Sequence, residues 1–297
     1  MRWGRMRESS NVEDRRGGGG MMRYPGGGMR VGRVVGGGGI GTIVLVLIAL
    51  FLGVDPSFIL GGGGGYVQPT NVPSAGRQGV PEGDTQAEFA SRVLGETEDT
   101  WSAVFQDQLG QTYRDPKLVL FDGQVASACG YASSATGPFY CPGDQQVYLD
   151  TSFFDELSQR FGAPGDFAEA YVIAHEVGHH VQTLLGISSQ VSDLRRQSSE
   201  ADANRLSVMT ELQADCFAGV WAKNADETRQ VLEQGDVEEG LNAAAAIGDD
   251  RLQRQSRGYV TPDSFTHGTS EQRVRWFKTG MQSGQVDSCD TFNAGQL

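Results

Sequence analysis

In His175-Glu176-Val177-Gly178-His179, two imidazoles stand four residues apart with a carboxylate between them. On an α-helix, positions i and i+4 share a face. Two neutral rings on that face can grip one Zn²⁺, and the Glu beside them can take a proton from water on the metal. The chain has four His, and three of them, His175, His179 and His180, fall within six consecutive positions. Such crowding concentrates the metal-binding capacity on one short segment.

Two His are not enough for a catalytic zinc site, which takes three protein ligands and leaves one position open. A further His six residues beyond His179 is absent, and His267 is isolated in the sequence. His180 stands roughly 140° around the helix from His175 and points away. Glu211, in Glu211-Leu212-Gln213-Ala214-Asp215, is the best third ligand. Asp215 lies one turn later on the same face and can accept the remaining ring N–H of His175 or His179. Glu176 is then the general base. His267 is a catalytic candidate that could stabilise an oxyanion; its alternative is to order the loop before a helix cap at Thr269 or Ser270. Arg273 is expected to anchor its helix through a salt bridge.

Specific elements must hold these residues. Asp166 as cap, with Glu169 three residues later, predicts a helix start. The apolar stripe Phe167, Ala170, Ile173, Ala174, Val177 and Val181 carries that helix to about Leu185, with Gly186 as its stop. Gly178 costs the helix about 1 kcal/mol against Ala, which implies close approach of another backbone or of a substrate. A helix over 200–223 carries Glu211 and Asp215. Further helices are expected from Asp84 or Thr85 to about Leu109, and over 152–161, 225–233, 237–255 and 271–281. Short strands are expected over 117–121 and 146–149, with the second a candidate edge for an extended substrate. The fold class is therefore α+β and mostly helical, with a small sheet.

Charge divides the chain. Residues 1–39 hold eight Arg against three acids, while the whole chain is −13, which leaves −18 for the remainder. An acidic domain argues against nucleic acid as a partner. Val34–Val54 has no charged residue and reaches the length of about 20 residues that spans a bilayer. The sequence thus predicts a disordered basic cytoplasmic tail over 1–33, a transmembrane anchor over 34–60, a Gly/Pro-rich linker over 61–84 and a catalytic domain over 85–297. The domain would be extracytoplasmic on a single-pass cell-membrane protein, with membrane contact through one N-terminal helix. Four Cys follow the apolar run, an even number that suits an oxidising compartment. Cys129–Cys141, closing a short loop, is the first pairing to expect, and Cys216–Cys289 would then tie down the tail. Free buried thiols are the alternative.

His175–His179 followed by Glu211 and Asp215 resembles the gluzincin pattern of zinc peptidases. More narrowly, the chain resembles the bacterial family of putative neutral zinc metallopeptidases. The resemblance runs over Ser10–Gly17, the apolar run, Cys129-Gly130, Gly137–Pro142, His175–His180, Glu211–Cys216, Ile247–Asp250 and His267-Gly268. It implies a zincin-like fold, Zn²⁺ as cofactor and hydrolysis of protein or peptide substrates. His267 is similar to the late His of related membrane zinc peptidases. Two other readings stay open: a tethered, non-enzymatic binding protein with a structural or vestigial zinc, and a hydrolase of non-peptide amides.

Overall fold

The computed structural model describes residues 1–17 and 76–297. Lys117–Phe121 (β3) follows the expected apolar run, and its last four residues are all buried, as befits a strand covered on both faces. It pairs in parallel with Gln146–Asp150 (β7) and, on its other side, with Val12–Asp14 (β1). Arg77–Gln78 (β2) runs antiparallel to β1, and Phe139–Cys141 (β6) antiparallel to β7. The sheet order is β2-β1-β3-β7-β6. Strand β7 is therefore internal, and the edge on its side is β6, not the 146–149 segment expected. A separate hairpin joins Gln124–Ser127 (β4) to Gly130–Ser133 (β5).

Helices build the rest. Thr85–Val104 (α1) opens on Asp84, whose carboxylate accepts the Ala87 N–H at 3.0 Å, and it runs into one π-helical turn, Phe105–Leu109. Ser152–Gln159 (α2) leads to Asp166–Leu184 (α3), the motif helix. Gly165, not Asp166, holds the capping position of α3. The Phe167 N–H is met instead by Glu239, at 3.2 Å. A Cβ on Gly165 would lie 2.1 Å from that carboxylate, and its φ is +126°, so only glycine fits there. Gly186 ends α3 as expected, and Ile187–Arg195 (α4) begins straight after it. Sequence periodicity missed α4 because Val191 is its one buried residue.

Glu200–Arg229 (α5) runs through the break expected after Lys223. No Gly or Pro interrupts it there, and Gln230, with φ 53°, ends it. The helix expected over 237–255 is split into Asp236–Ala246 (α6) and Asp249–Arg257 (α7). At the split, a Cβ on Gly248 would lie 2.4 Å from the Ser270 nitrogen, so the chain bends to seat the loop before Ser270–Ser283 (α8). Disulfides join Cys129 to Cys141 and Cys216 to Cys289. The first links the β4–β5 turn to β6, and the second links α5 to the turn Val286–Cys289.

Residues 1–17 are not the disordered tail that composition suggests. Val12 is fully buried in β1, and Met1 and Met6 join the main core. The arginines that made the segment look solvated are paired: Arg7 with Glu98 and Asp99, Arg15 with Glu13, and Arg16 with Asp14 and Asp84. The packed domain thus extends beyond 85–297 to include residues 1–17 and β2. The expected anchor over 34–60 lies outside the described residues; among these, no helix is long and apolar enough to cross a membrane. The register Asp14↔Arg77 puts the two ends of the 18–75 segment side by side on one sheet. A single crossing within that segment would separate β1 from β2 and β3.

Candidate metal centre

Helices α3 and α5 meet at Gly178. A Cβ there would lie 2.9 Å from the Ala214 carbonyl oxygen and 3.1 Å from its Cα. Glycine lets the two backbones close, which accounts for its place inside a helix. The approach brings His175 and His179, on either side of Gly178, against Glu211 and Asp215, on either side of Ala214. His175 Nε2 lies 3.1 Å from Glu211 Oε2, and His179 Nε2 lies 3.4 Å from Glu211 Oε1. One ligand atom from each of the three lies within 4.8 Å of the others.

The other nitrogen of each ring fixes its orientation. His175 Nδ1–H donates to Asp215 Oδ1 at 2.8 Å, and His179 Nδ1–H donates to Gln182 Oε1 at 2.9 Å. Gln182 cannot flip, because its amide N–H groups donate to the Thr210 carbonyl at 2.7 Å and to Gln213 Oε1 at 3.0 Å. Asp215 is fully buried. It also accepts two bonds from Arg273, each at 2.8 Å, and one from the Tyr171 hydroxyl. With both Nδ1 atoms committed as donors, both Nε2 atoms face Glu211, where a metal ion can take the place of the ring protons. Two His nitrogens and a carboxylate, converging in a buried setting with acceptors behind the rings, are the donor set that Zn²⁺ takes.

Electrostatics follow the same geometry. Burial opposes charge on His175, but Asp215 and Glu211 outweigh it and push its pKa up to about 10. Burial opposes ionisation of Glu211, yet His179 and His175 hold it well below the usual carboxylate range. The site therefore already stabilises positive charge next to a carboxylate, as a cation-binding site must. Glu176 is raised by burial, partly offset by the neighbouring imidazoles and the Tyr140 backbone N–H. A raised carboxyl is suited to taking a proton and giving it back.

His175, Glu176, His179, Glu211 and His267 line one cleft of about 530 Å³. His267 is fastened to Asp249, whose Oδ2 accepts the backbone N–H of His267 at 2.6 Å and of Gly268 at 3.0 Å. Asp249 Oδ1 lies 3.2 Å from the His267 Nδ1. Asp250 holds the next turn through the Ser270 N–H at 2.7 Å. The acidic pair after Gly248 therefore shapes the loop that carries His267. The anchoring salt bridge expected of Arg273 is made to Asp215, directly behind His175.

Sequence reasoning had not singled out Gln182 or Tyr171; His180, set aside there as a ligand, does turn away from the His-His-Glu set. Gln182 and Tyr171 stand three residues after His179 and four before His175, a spacing that could have marked them as neighbours. His180 is buried and neutral, its pKa pushed down to about 4 by burial. Its Nε2–H donates to the Arg114 carbonyl at 2.6 Å, so its Nδ1 accepts from the Tyr140 hydroxyl at 3.1 Å. That bond ties edge strand β6 to α3. The four cysteines all lie in the two disulfides, so none is free to serve as a fourth ligand.

Comparison with known proteins places the sequence in a family. Residues 1–292 match the family described as "Putative neutral zinc metallopeptidase". The "Uncharacterized protein YpfJ" of Escherichia coli (strain K12) is 51% identical over 292 residues, covering 98% of this chain and 99% of that protein. The "Uncharacterized protein Rv2575" of Mycobacterium tuberculosis (strain ATCC 25618 / H37Rv) is 43% identical over 263 residues, covering 84% of this chain and 86% of its own. No solved structure matches. The match extends across the β1 segment, the cleft and the convergent His-His-Glu set, and the chain belongs to the family of putative neutral zinc metallopeptidases.

Proposed function

We propose that this chain is a zinc-dependent peptidase with a zincin-like site, in which His175, His179 and Glu211 hold the metal. The observation that carries the proposal is the orientation of both rings: Asp215 and Gln182 fix the two Nδ1–H groups, so both Nε2 atoms face Glu211. Zinc at this position would supply a Lewis acid and lower the pKa of water to about 7. Glu176 takes the proton from the attacking water and returns it to the leaving amine. Glu176 is buried beside the two ligand rings and lines the same cleft, within reach of that water. His267, held by Asp249, faces the cleft and steadies the oxyanion of the tetrahedral carbon. Strand β6, at the sheet edge and lining the cleft, offers its backbone to an extended peptide.

Two disulfides suit an oxidising, extracytoplasmic location. Any membrane contact made by the apolar run would leave and rejoin the domain on the same side, in keeping with the β1–β2 pairing. The alternative of a structural zinc needs a fourth protein ligand, and Cys216, the nearest thiol in sequence, is bonded to Cys289. The test is to measure zinc in the purified full-length chain and profile its cleavage of a broad peptide library against Glu176→Gln. Zinc-dependent cleavage that disappears in Glu176→Gln is expected. Stoichiometric zinc with no cleavage would return the structural-zinc reading.

A further inference from the structure

The β4–β5 hairpin has an exposed aromatic residue that the metal site leaves unexplained. Its strands alternate as a half-buried ribbon should. Val125 and Ala132 face inward onto Val119, Phe121, Cys141 and Tyr148, while Tyr131 points out, 73% exposed. Among the described residues, the exposed large hydrophobics are Tyr131, Leu194 and Tyr259, and of these only Tyr131 lines the cleft with Glu176 and the three ligands. An exposed aromatic at a cleft carrying reactive groups is a contact residue in search of a partner.

The hairpin is fixed far more firmly than four-residue strands would be alone. Cys129, in its turn, is bonded to Cys141 at the end of β6. The Ala128 N–H donates to Asp144 at 2.8 Å, and Tyr148 holds the same carboxylate at 2.8 Å. Tyr131 is thus presented from a platform stapled to the edge strand along which a peptide would lie. The same cleft has apolar walls from Pro138, Phe139, Phe153, Phe161 and Val172.

We infer that Tyr131 is a specificity-determining residue: from its stapled hairpin it packs against a bulky apolar side chain of an extended peptide lying along β6. The inference rests on the proposed peptidase reading and names its substrate class, peptide segments with a large apolar residue near the scissile bond. The staple contributes by holding the hairpin at a fixed distance from β6, so its loss should weaken binding without touching the chemistry.

The test uses the zinc-loaded full chain with paired peptides that carry Phe or Ala at each position around the cleavage site. Cleavage is read as kcat and KM, and binding to Glu176→Gln is read by fluorescence anisotropy. The chain should favour Phe at one position by about tenfold or more, the size expected for a well-packed aromatic contact. Tyr131→Ala should reduce that ratio to about twofold through KM, and Tyr131→Phe should keep it. Cys129→Ser together with Cys141→Ser, checked for fold by circular dichroism, should behave like Tyr131→Ala while kcat on the best peptide stays within about twofold. An unchanged Phe/Ala ratio in Tyr131→Ala overturns the inference, as does an equal loss on every peptide. If the wild-type chain cleaves nothing but Glu176→Gln binds with a Tyr131-dependent preference for Phe, the peptidase reading fails and the contact stands. If neither assay distinguishes Phe from Ala, the contact is refuted.

Discussion

Helix α3 contributes to two groups of ligand-type side chains, and the two groups differ in kind. Near its middle, His175 and His179 converge on Glu211. At its N-terminus, Asp166 meets Asp236 and Glu239, with one oxygen of each equally within 4.8 Å of the others. By proximity alone both could hold a metal. The acidic group, however, already has cations and donors to serve. The Met1 ammonium lies 2.6 Å from Asp166 and 3.4 Å from Asp236, and Glu239 accepts the Phe167 N–H. At the imidazole group, buried acceptors stand behind the rings and turn both Nε2 atoms inward. What distinguishes a metal site from a charge cluster is therefore not the ligands but the second row that orients them.

The sharpest way to break this comparison is to remove the base. Glu176→Gln should cut peptide turnover by about a thousandfold, the scale of general acid–base catalysis, while bound zinc stays stoichiometric by atomic absorption. An equal loss from Glu239→Gln would erase the distinction between the two groups. Next in size, Glu211→Ala should empty the site, and chelator should then no longer shift its Tm. Asp166→Asn should retain stoichiometric zinc and lose only stability. The second row itself is tested by Asp215→Asn. Zinc affinity should fall by about 10- to 100-fold in a competition titration, and the partly stranded Arg273 should cost up to about 3–5 kcal/mol in denaturant unfolding.

The smallest effect sharpens the electrostatics of the helix that joins the groups. Glu169, between them, is raised from 4.5 to about 7 by burial and by Asp166, Asp155 and Glu239. Because its folded value is the higher one, the native chain holds the extra proton between those limits. Its contribution is fully present below pH 4.5 and is lost as pH rises through 7. Glu169→Gln should therefore stabilise the protein at pH 8 by about 1–2 kcal/mol, allowing for partial solvent screening, and change little at pH 4. Urea melts at the two pH values measure the difference. An equal gain at both would rule out the titration.

Local pattern made the centre of the molecule legible. The period of the stripe from Phe167 to Val181 marked α3, and the i, i+4 spacing marked two candidate ligands. The Glu211/Asp215 pair marked the third candidate and its neighbour because all four sit on two regular helices. What pattern could not give was tertiary pairing. Arg7 and Arg16 read as part of a solvated tail because Glu98 and Asp84, carboxylates they pair with, lie on distant segments. The split at Gly248 was hidden because its cause, Ser270, is a neighbour in space only. Gln182 was overlooked because an amide carries no charge to mark it, although its hydrogen bonds decide which way His179 turns.

Strand β1 also has a consequence in time. It is synthesised first, yet its slot between β2 and β3 does not exist until Lys117–Phe121 has been made. Closing a loop of about a hundred residues is a slow, high-contact-order step. Until it happens, one side of β3 is an open row of backbone donors and acceptors on a strand apolar from Leu118 to Phe121, the kind of edge that aggregates. A fragment beginning at Thr85 would keep every proposed ligand and stay in that unfinished state. Such a fragment should collect in inclusion bodies, and supplying residues 1–17 as a separate peptide should rescue part of it.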